Sequence, residues 1–182
     1  AQVHFGGPDL PPRQLRNLLR QRVGAVPPGG EYVWATSDFC DHDLAAALIA
    51  ACDRGVRVTV QVEGEPRRRQ ANGQVLAMLG EHGLNGGLKV HRPFPAFLHP
   101  HLHTKIYWFS HPVPSVLVGS FNPSGDEPED PEVVAEIGDQ DRGHNLLVEL
   151  RDPALVDGLR RHVRALHWPL ARFRNLAPVS GA

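Results

Sequence analysis

Two short runs, Lys105-Ile106-Tyr107-Trp108-Phe109 and Ser115-Val116-Leu117-Val118, flank the turn Ser110-His111-Pro112-Val113-Pro114. Aromatic and β-branched residues favour strands, and a proline-rich turn between two such runs predicts that they pair side by side. Polar residues stand at matched ends of this hairpin. His103 and Lys105 enter the first strand two residues apart, and Gly119, Ser120 and Asn122 follow the second. A spacing of two puts side chains on one face of a strand. An imidazole, an ammonium, a hydroxyl and an amide are therefore expected on one surface. That set suits a phosphoryl group: a nucleophile or proton carrier, a point charge for the oxyanions and two neutral hydrogen-bonding groups.

The remaining pattern alternates strands and helices. Val3-His4-Phe5 predicts an edge strand, and residues 12–23 a helix with Leu15, Leu18, Leu19 and Val23 on one stripe. Tyr32 to Ala35 reads as a buried strand. Asp41 caps a helix whose Leu44, Ala47, Leu48 and Ala51 line up before Gly55 ends it. Val56 to Val62 predicts a strand, residues 72–80 a helix, and Leu88 to Val90 and Asn145 to Leu150 further strands. Asp152-Pro153 opens a last helix carrying Leu155, Leu159, Val163 and Leu166. Such alternation argues for an α/β layered domain over residues 1–170, with 171–182 as a tail or the start of a linker.

The H-x-K and G-S-x-N pair resembles the phospholipase D superfamily, whose pattern is H-x-K-x4-D followed by G-[SG]-x-N. The strand–helix–strand run Tyr32 to Val62 and the strand–helix run Asn145 to Trp168 also look like parts of such a domain, so the similarity covers most of residues 2–168. The resemblance implies an α/β/α sandwich with a mixed central sheet and the two motif strands adjacent near its centre. It further implies a phosphodiesterase or phosphatidyltransferase that forms a phosphohistidine without a required metal or other cofactor. In that family two half-sites meet across a two-fold axis, so one pattern in 182 residues is half an active site. Completion is expected from a homodimer partner or from the second lobe of a longer enzyme.

His103 is the expected nucleophile or general acid, and Lys105 the phosphate-binding cation, since a lysine in an apolar strand needs an anion. Asn122 joins them as a catalytic candidate. Ser120 is expected to bind phosphoryl oxygens, and Gly119 to let the backbone come close. The sequence departs from the family at two places. Ser110 stands where the motif has its aspartate, a largely structural position. His144, before Asn145, stands where relatives place a glutamate that orients the histidine. An imidazole there still hydrogen-bonds but carries no negative charge. A catalytically degenerate phosphate-binding module is therefore an alternative, beside a nuclease of the same chemistry.

His99, His101 and His103 alternate, but Pro100 interrupts the strand and no cysteine is near, so His101 is assigned to a polar rim of the phosphate site and no metal is expected. Phe94, Phe97 and Leu98 could line an acyl pocket or pack within their loop. Residues 123–143 hold eight acids and one base, Arg142. An acidic segment repels polyanions at short range, which tilts the reading from nucleic acid, still open through Arg67, Arg68 and Arg69, toward phospholipid. A formal net charge of -1 gives no help to binding of long nucleic acid. Cys40 and Cys52 lie roughly 18 Å apart along a predicted helix, too far for a disulfide. No apolar run is long enough to span a membrane. A start at Ala1-Gln2, without methionine, fits cleavage after a secretion signal, which tilts the expectation toward a secreted over a cytoplasmic protein.

Overall fold

The computed structural model describes residues 1–64, 72–91, 102–123 and 143–166. Seven strands form one mixed sheet. In chain order they are β1 (Gln2–Gly6), β2 (Glu31–Thr36), β3 (Arg57–Glu63), β4 (Leu88–His91), β5 (Ile106–Phe109), β6 (Ser115–Gly119) and β7 (Asn145–Leu150). The spatial order is β1-β7-β6-β5-β2-β3-β4, so the two motif strands are neighbours and β5 is central. β2, β3 and β4 run parallel, and every other pairing is antiparallel.

Helices α1 (Gln14–Ala25), α2 (His42–Asp53) and α3 (Gly73–His82) connect the strands on one side, and α4 (Pro153–Ala165) covers the other. Strand alternation sorts the core accordingly. Tyr32, Trp34, Val58, Val60, Val62, Tyr107, Phe109 and Leu117 pack under α1, α2 and α3. Val33, Ala35, Ile106, Trp108 and Val116 face Val156 and Val163 of α4. This is the expected α/β/α sandwich with a mixed sheet. The predicted caps are in place: Asp41 Oδ1 accepts from Leu44 N at 2.8 Å, and Asp152 Oδ1 from Leu155 N at 3.0 Å.

Buried polar side chains tie the layers together. Arg16 of α1 donates to Asp41 at 2.8 Å, and Arg22 grips Glu149 of β7 through two 2.9 Å bonds. On the other face, Arg160 and Arg164 of α4 bond Glu31, while the Arg160 guanidinium lies 4.9 Å over the Trp108 ring. Both cysteines are free thiols, as their spacing requires. Among the described residues no helix is long and apolar enough to cross a membrane.

Because β5 and β6 run opposite to each other, the H-x-K segment before β5 and the G-S-x-N segment after β6 emerge at the same end of the sheet. The carboxyl end of β2, the start of β7 and the end of β1 open at that end too.

Candidate active site

Three irregular segments meet at that end. The first is Ser37-Asp38, directly after Thr36 closes β2, the second Leu102 to Lys105 before β5, and the third Ser120 to Asn122 after β6. The expected spacing rule does not apply to the second, because the strand ladder begins at Ile106 and residues 102–105 lie outside it. His103 is exposed while Lys105 is 7% exposed. The lysine turns inward: Nζ donates to Ser37 Oγ at 2.8 Å and back to the His103 carbonyl at 3.1 Å. Burial lowers the Lys105 pKa, and the Asp38 carboxylate opposes that shift.

Asn122 is buried and ties the third segment to the first. Its Oδ1 accepts from Thr36 Oγ1 at 3.2 Å and Asp38 N at 3.3 Å, and it shares the one Ser37 hydroxyl proton, at 3.1 Å, with Asp38 Oδ2 at 3.2 Å. Its Nδ2 donates to Asp38 Oδ2 at 3.1 Å. An amide nitrogen carries two protons, so one N–H is left over for a ligand. Tyr107, from the β5 core face, donates its hydroxyl to the Phe121 carbonyl at 2.7 Å and lies 3.3 Å from Thr36 Oγ1.

Two more buried side chains act as posts. Asn72, ahead of α3, accepts from Phe39 N at 2.7 Å and donates to the Ser37 and Glu63 carbonyls at 2.7 and 2.8 Å. Glu63, at the end of β3, accepts from Leu102 N at 2.7 Å, which fixes the approach of the histidine segment.

Ser120 is exposed. Its hydroxyl donates to Asn145 Oδ1 at 3.0 Å and accepts from Leu146 N at 3.2 Å, so its one proton is directed at β7. At Gly119 a Cβ would stand 2.0 Å from the Leu146 carbonyl oxygen, so the close backbone approach it permits is between β6 and β7. His144 is exposed and lies against Gly7, whose Cβ would come within 3.1 Å of His144 Nδ1. Among the described residues no hydrogen bond joins His144 to His103. Ser110 sits at the far end of β5, five residues or roughly 17 Å from Lys105. There its Oγ accepts from Glu31 N at 2.8 Å and its own N–H bonds the Glu31 carbonyl, so the hydroxyl completes the β2–β5 pairing. His99, His101, Arg67, Arg68, Arg69, Phe94, Phe97, Leu98, the acidic stretch 124–142 and the tail 171–182 lie outside the described residues.

Ser37, Asp38, Glu63 and Asn72 were not singled out from the sequence. One signal pointed to the first two: a short polar triplet directly after an apolar strand, at the carboxyl end where α/β sheets gather their ligands. Asp38 is half-buried. Desolvation raises its pKa, against the lowering influence of the Ser37 hydroxyl, Lys105 and His103, while Glu63 adds to the rise. No group of metal-ligating side chains occurs among the described residues. The arrangement brings an exposed histidine, a sequestered ammonium and a buried amide to one end of the sheet, with the Asp38 carboxylate bonded to the amide and to Ser37. Such a set can bind a phosphodiester and pass its phosphoryl group to a nitrogen nucleophile.

Residues 31–162 match the family described as cardiolipin synthase, PLD-like domain. No curated protein matches the chain. Among solved structures, the fold is similar to that of Nuc from Salmonella typhimurium, a phospholipase D family member, with 20% identity and a TM-score of 0.64 over 90% of this chain and 91% of that one. NucT from Helicobacter pylori shares 15% identity, with a TM-score of 0.61 over 90% of this chain and 93% of that one. Polyphosphate kinase from Porphyromonas gingivalis shares 12% identity, with a TM-score of 0.55 over 90% of this chain and 22% of that one. At these identities the structural likenesses speak for the fold.

Proposed function

The chain belongs to the phospholipase D superfamily, and from that membership we propose that it cleaves or transfers phospholipid phosphodiesters through a phosphohistidine at His103. The observation that carries this reading is the inward turn of Lys105 onto Ser37 beside the exposed His103. A buried ammonium held at 2.8 Å from a hydroxyl is ready to receive a phosphoryl oxyanion, and the imidazole is free to attack.

In this mechanism a ring nitrogen of His103 attacks phosphorus. A P–N bond forms, the P–O bond to the leaving alcohol breaks, and a histidine of the second half-site protonates the departing oxygen. Water or an acceptor alcohol then attacks phosphorus, its proton passes to that second histidine, and the P–N bond breaks to free His103. Lys105 and the remaining Asn122 N–H bear on the equatorial oxygens throughout. Ser120 and Gly119 keep the Asn122 segment against β7, and His144 contributes to the rim. The second half-site comes from another copy of this chain or from a second lobe. For a homodimer, light scattering would read a mass twice 20.0 kDa. A monomer with no second lobe in the full-length protein would defeat that part.

Lipid is favoured over nucleic acid by the surface beside the site. Val3, Phe5, Leu10 and Leu146 are 46%, 55%, 39% and 37% exposed. Phe5 and Leu10 are shared between two hollows. One is bounded by Gly7, His144 and Asn145; the other, of about 930 Å³, continues along β1 and α1 past Leu15 and Leu18. Apolar hollows of this kind suit acyl chains. The matched family's description, which names a cardiolipin synthase, points the same way.

The test is a paired assay of the wild type and His103→Ala on phosphatidylcholine vesicles and on single-stranded DNA. The proposal expects vesicle turnover that disappears in the variant. His103-dependent turnover of DNA alone would favour the nuclease reading. No turnover of either would favour a phosphate-binding module.

A further inference from the structure

The two departures from the phospholipase D pattern are Ser110 and His144. Neither replacement reaches the reacting groups. Ser110 completes strand pairing at the far end of β5, and His144 packs against Gly7. A carboxylate nonetheless arrives at the His103–Lys105 pair from a third direction, the loop after β2. We propose that Asp38 is a positioning residue of this site, its carboxylate serving as counter-charge to Lys105 across the Ser37 hydroxyl.

The inference rests on the reading of His103 and Lys105 as the phosphodiester site, and its geometry is independent of substrate class. Asp38 Oδ2 is held from two sides, by Asn122 Nδ2 at 3.1 Å and by Ser37 Oγ at 3.2 Å. The same Ser37 oxygen accepts the Lys105 ammonium at 2.8 Å, so one hydroxyl stands between cation and anion. The other carboxylate oxygen, Oδ1, makes no hydrogen bond among the described residues.

Lys105 and His103 approach the Asp38 carboxylate from the segment before β5, and Glu63 from the end of β3 repels it. Asn122 faces it from beyond β6, and Ser37 lies in its own loop. A purely local role is not evident, because the cap of α2 is supplied by Asp41. Lys105 is the cation that Asp38 faces across the Ser37 hydroxyl, and the carboxylate balances that charge before a phosphate arrives. Its bonds to Asn122 and Ser37 keep it in place as the His103 ring gains positive character.

The sequence makes the test clean, because it holds only two lysines, Lys89 and Lys105. With 13C-labelled lysine, the Lys105 side chain gives one of two titrating signals, assigned through Lys89→Arg. In Asp38→Asn, which keeps the shape and the Asn122 contact but loses the charge, the Lys105 midpoint is expected to move to lower pH by roughly one unit. Asp38→Glu is expected to restore part of that shift. An unchanged midpoint in a natively folded Asp38→Asn protein overturns the proposal. Should Asp38→Asn fail to fold, the Asp38 carboxyl is titrated in Lys105→Met instead. An upward move there supports the pairing, and an unmoved carboxyl overturns it. Phosphodiester turnover is assayed separately: a wild type without turnover would defeat the functional reading, while the titration would still answer for Asp38.

Discussion

Asn122 Nδ2 donates to Asp38 Oδ2 at 3.1 Å, and through this bond the segment after β6 holds the loop after β2. The same carboxamide receives Thr36, Ser37 and the Asp38 backbone on its oxygen. A motif asparagine expected to face substrate is thus first a clamp on the protein's own loop, with one N–H to spare.

Removal of that clamp should be costly. In Asn122→Ala the Asp38 N–H and the two hydroxyls lose a buried acceptor, at about 1–3 kcal/mol for an orphaned buried group. For a domain of this size a loss of about 2 kcal/mol lowers Tm by roughly 4–8 °C. Calorimetry reads the fall, and phosphodiesterase activity should drop with it. An unshifted Tm would show that the loop is held elsewhere.

The charged pair should cost stability in return for its function. Burial raises the Asp38 pKa and lowers that of Lys105. Asp38 holds its proton more tightly folded than unfolded. Its share of stability is therefore present below the ordinary carboxylate range and lost as pH rises through the raised value. The share from Lys105 is present above its ordinary value and lost as pH falls through the lowered one. Between the two shifted values both charges weigh against the fold. The double variant Asp38→Asn, Lys105→Met should therefore be more stable than the wild type within that window, by about 1 kcal/mol or roughly 2–4 °C in Tm, and inactive. A lower Tm for the double variant would contradict this sign.

Phe5 separates lipid binding from chemistry. It is 55% exposed on β1, at the junction of the two hollows. Phe5→Gln should raise the apparent KM for vesicles by about tenfold, the worth of one partly buried aromatic side chain. Turnover of a small water-soluble phosphodiester should be unaffected. An equal loss on both substrates would mean that β1 serves the fold alone.

Much of this architecture was legible because its signals are local. Period-two runs gave the strands, the Leu15–Leu19–Val23 stripe gave α1, and Asp41 and Asp152 gave two helix starts that the cap bonds bear out. The H-x-K and G-S-x-N residues come together because the hairpin that joins them is also local. The balancing carboxylate was harder to read. Asp38 is 67 residues from Lys105 in sequence, and the two meet only because β2 lies antiparallel to β5. The same holds for Asn72 and Glu63, whose bonds run to loops set by tertiary packing. A spacing rule for strands also misled where the strand had not yet begun, at His103.

Gly119 shows a motif residue doing strand work. A methyl group there would come 2.0 Å from the Leu146 carbonyl oxygen, so Gly119→Ala must push β6 and β7 apart. A destabilisation of about 3 kcal/mol or more is expected, read as a lower urea midpoint. A midpoint equal to wild type would show that the sheet end gives way easily.

The central claim is a covalent bond between His103 and phosphorus. Rapid mixing with phospholipid, a quench in alkali and peptide mass spectrometry would look for it directly. The account predicts a phosphatidyl or phosphoryl adduct on the peptide bearing His103, formed within one turnover and absent from His103→Ala. Turnover that persists in His103→Ala, with no adduct on His103 in the wild type, would contradict it.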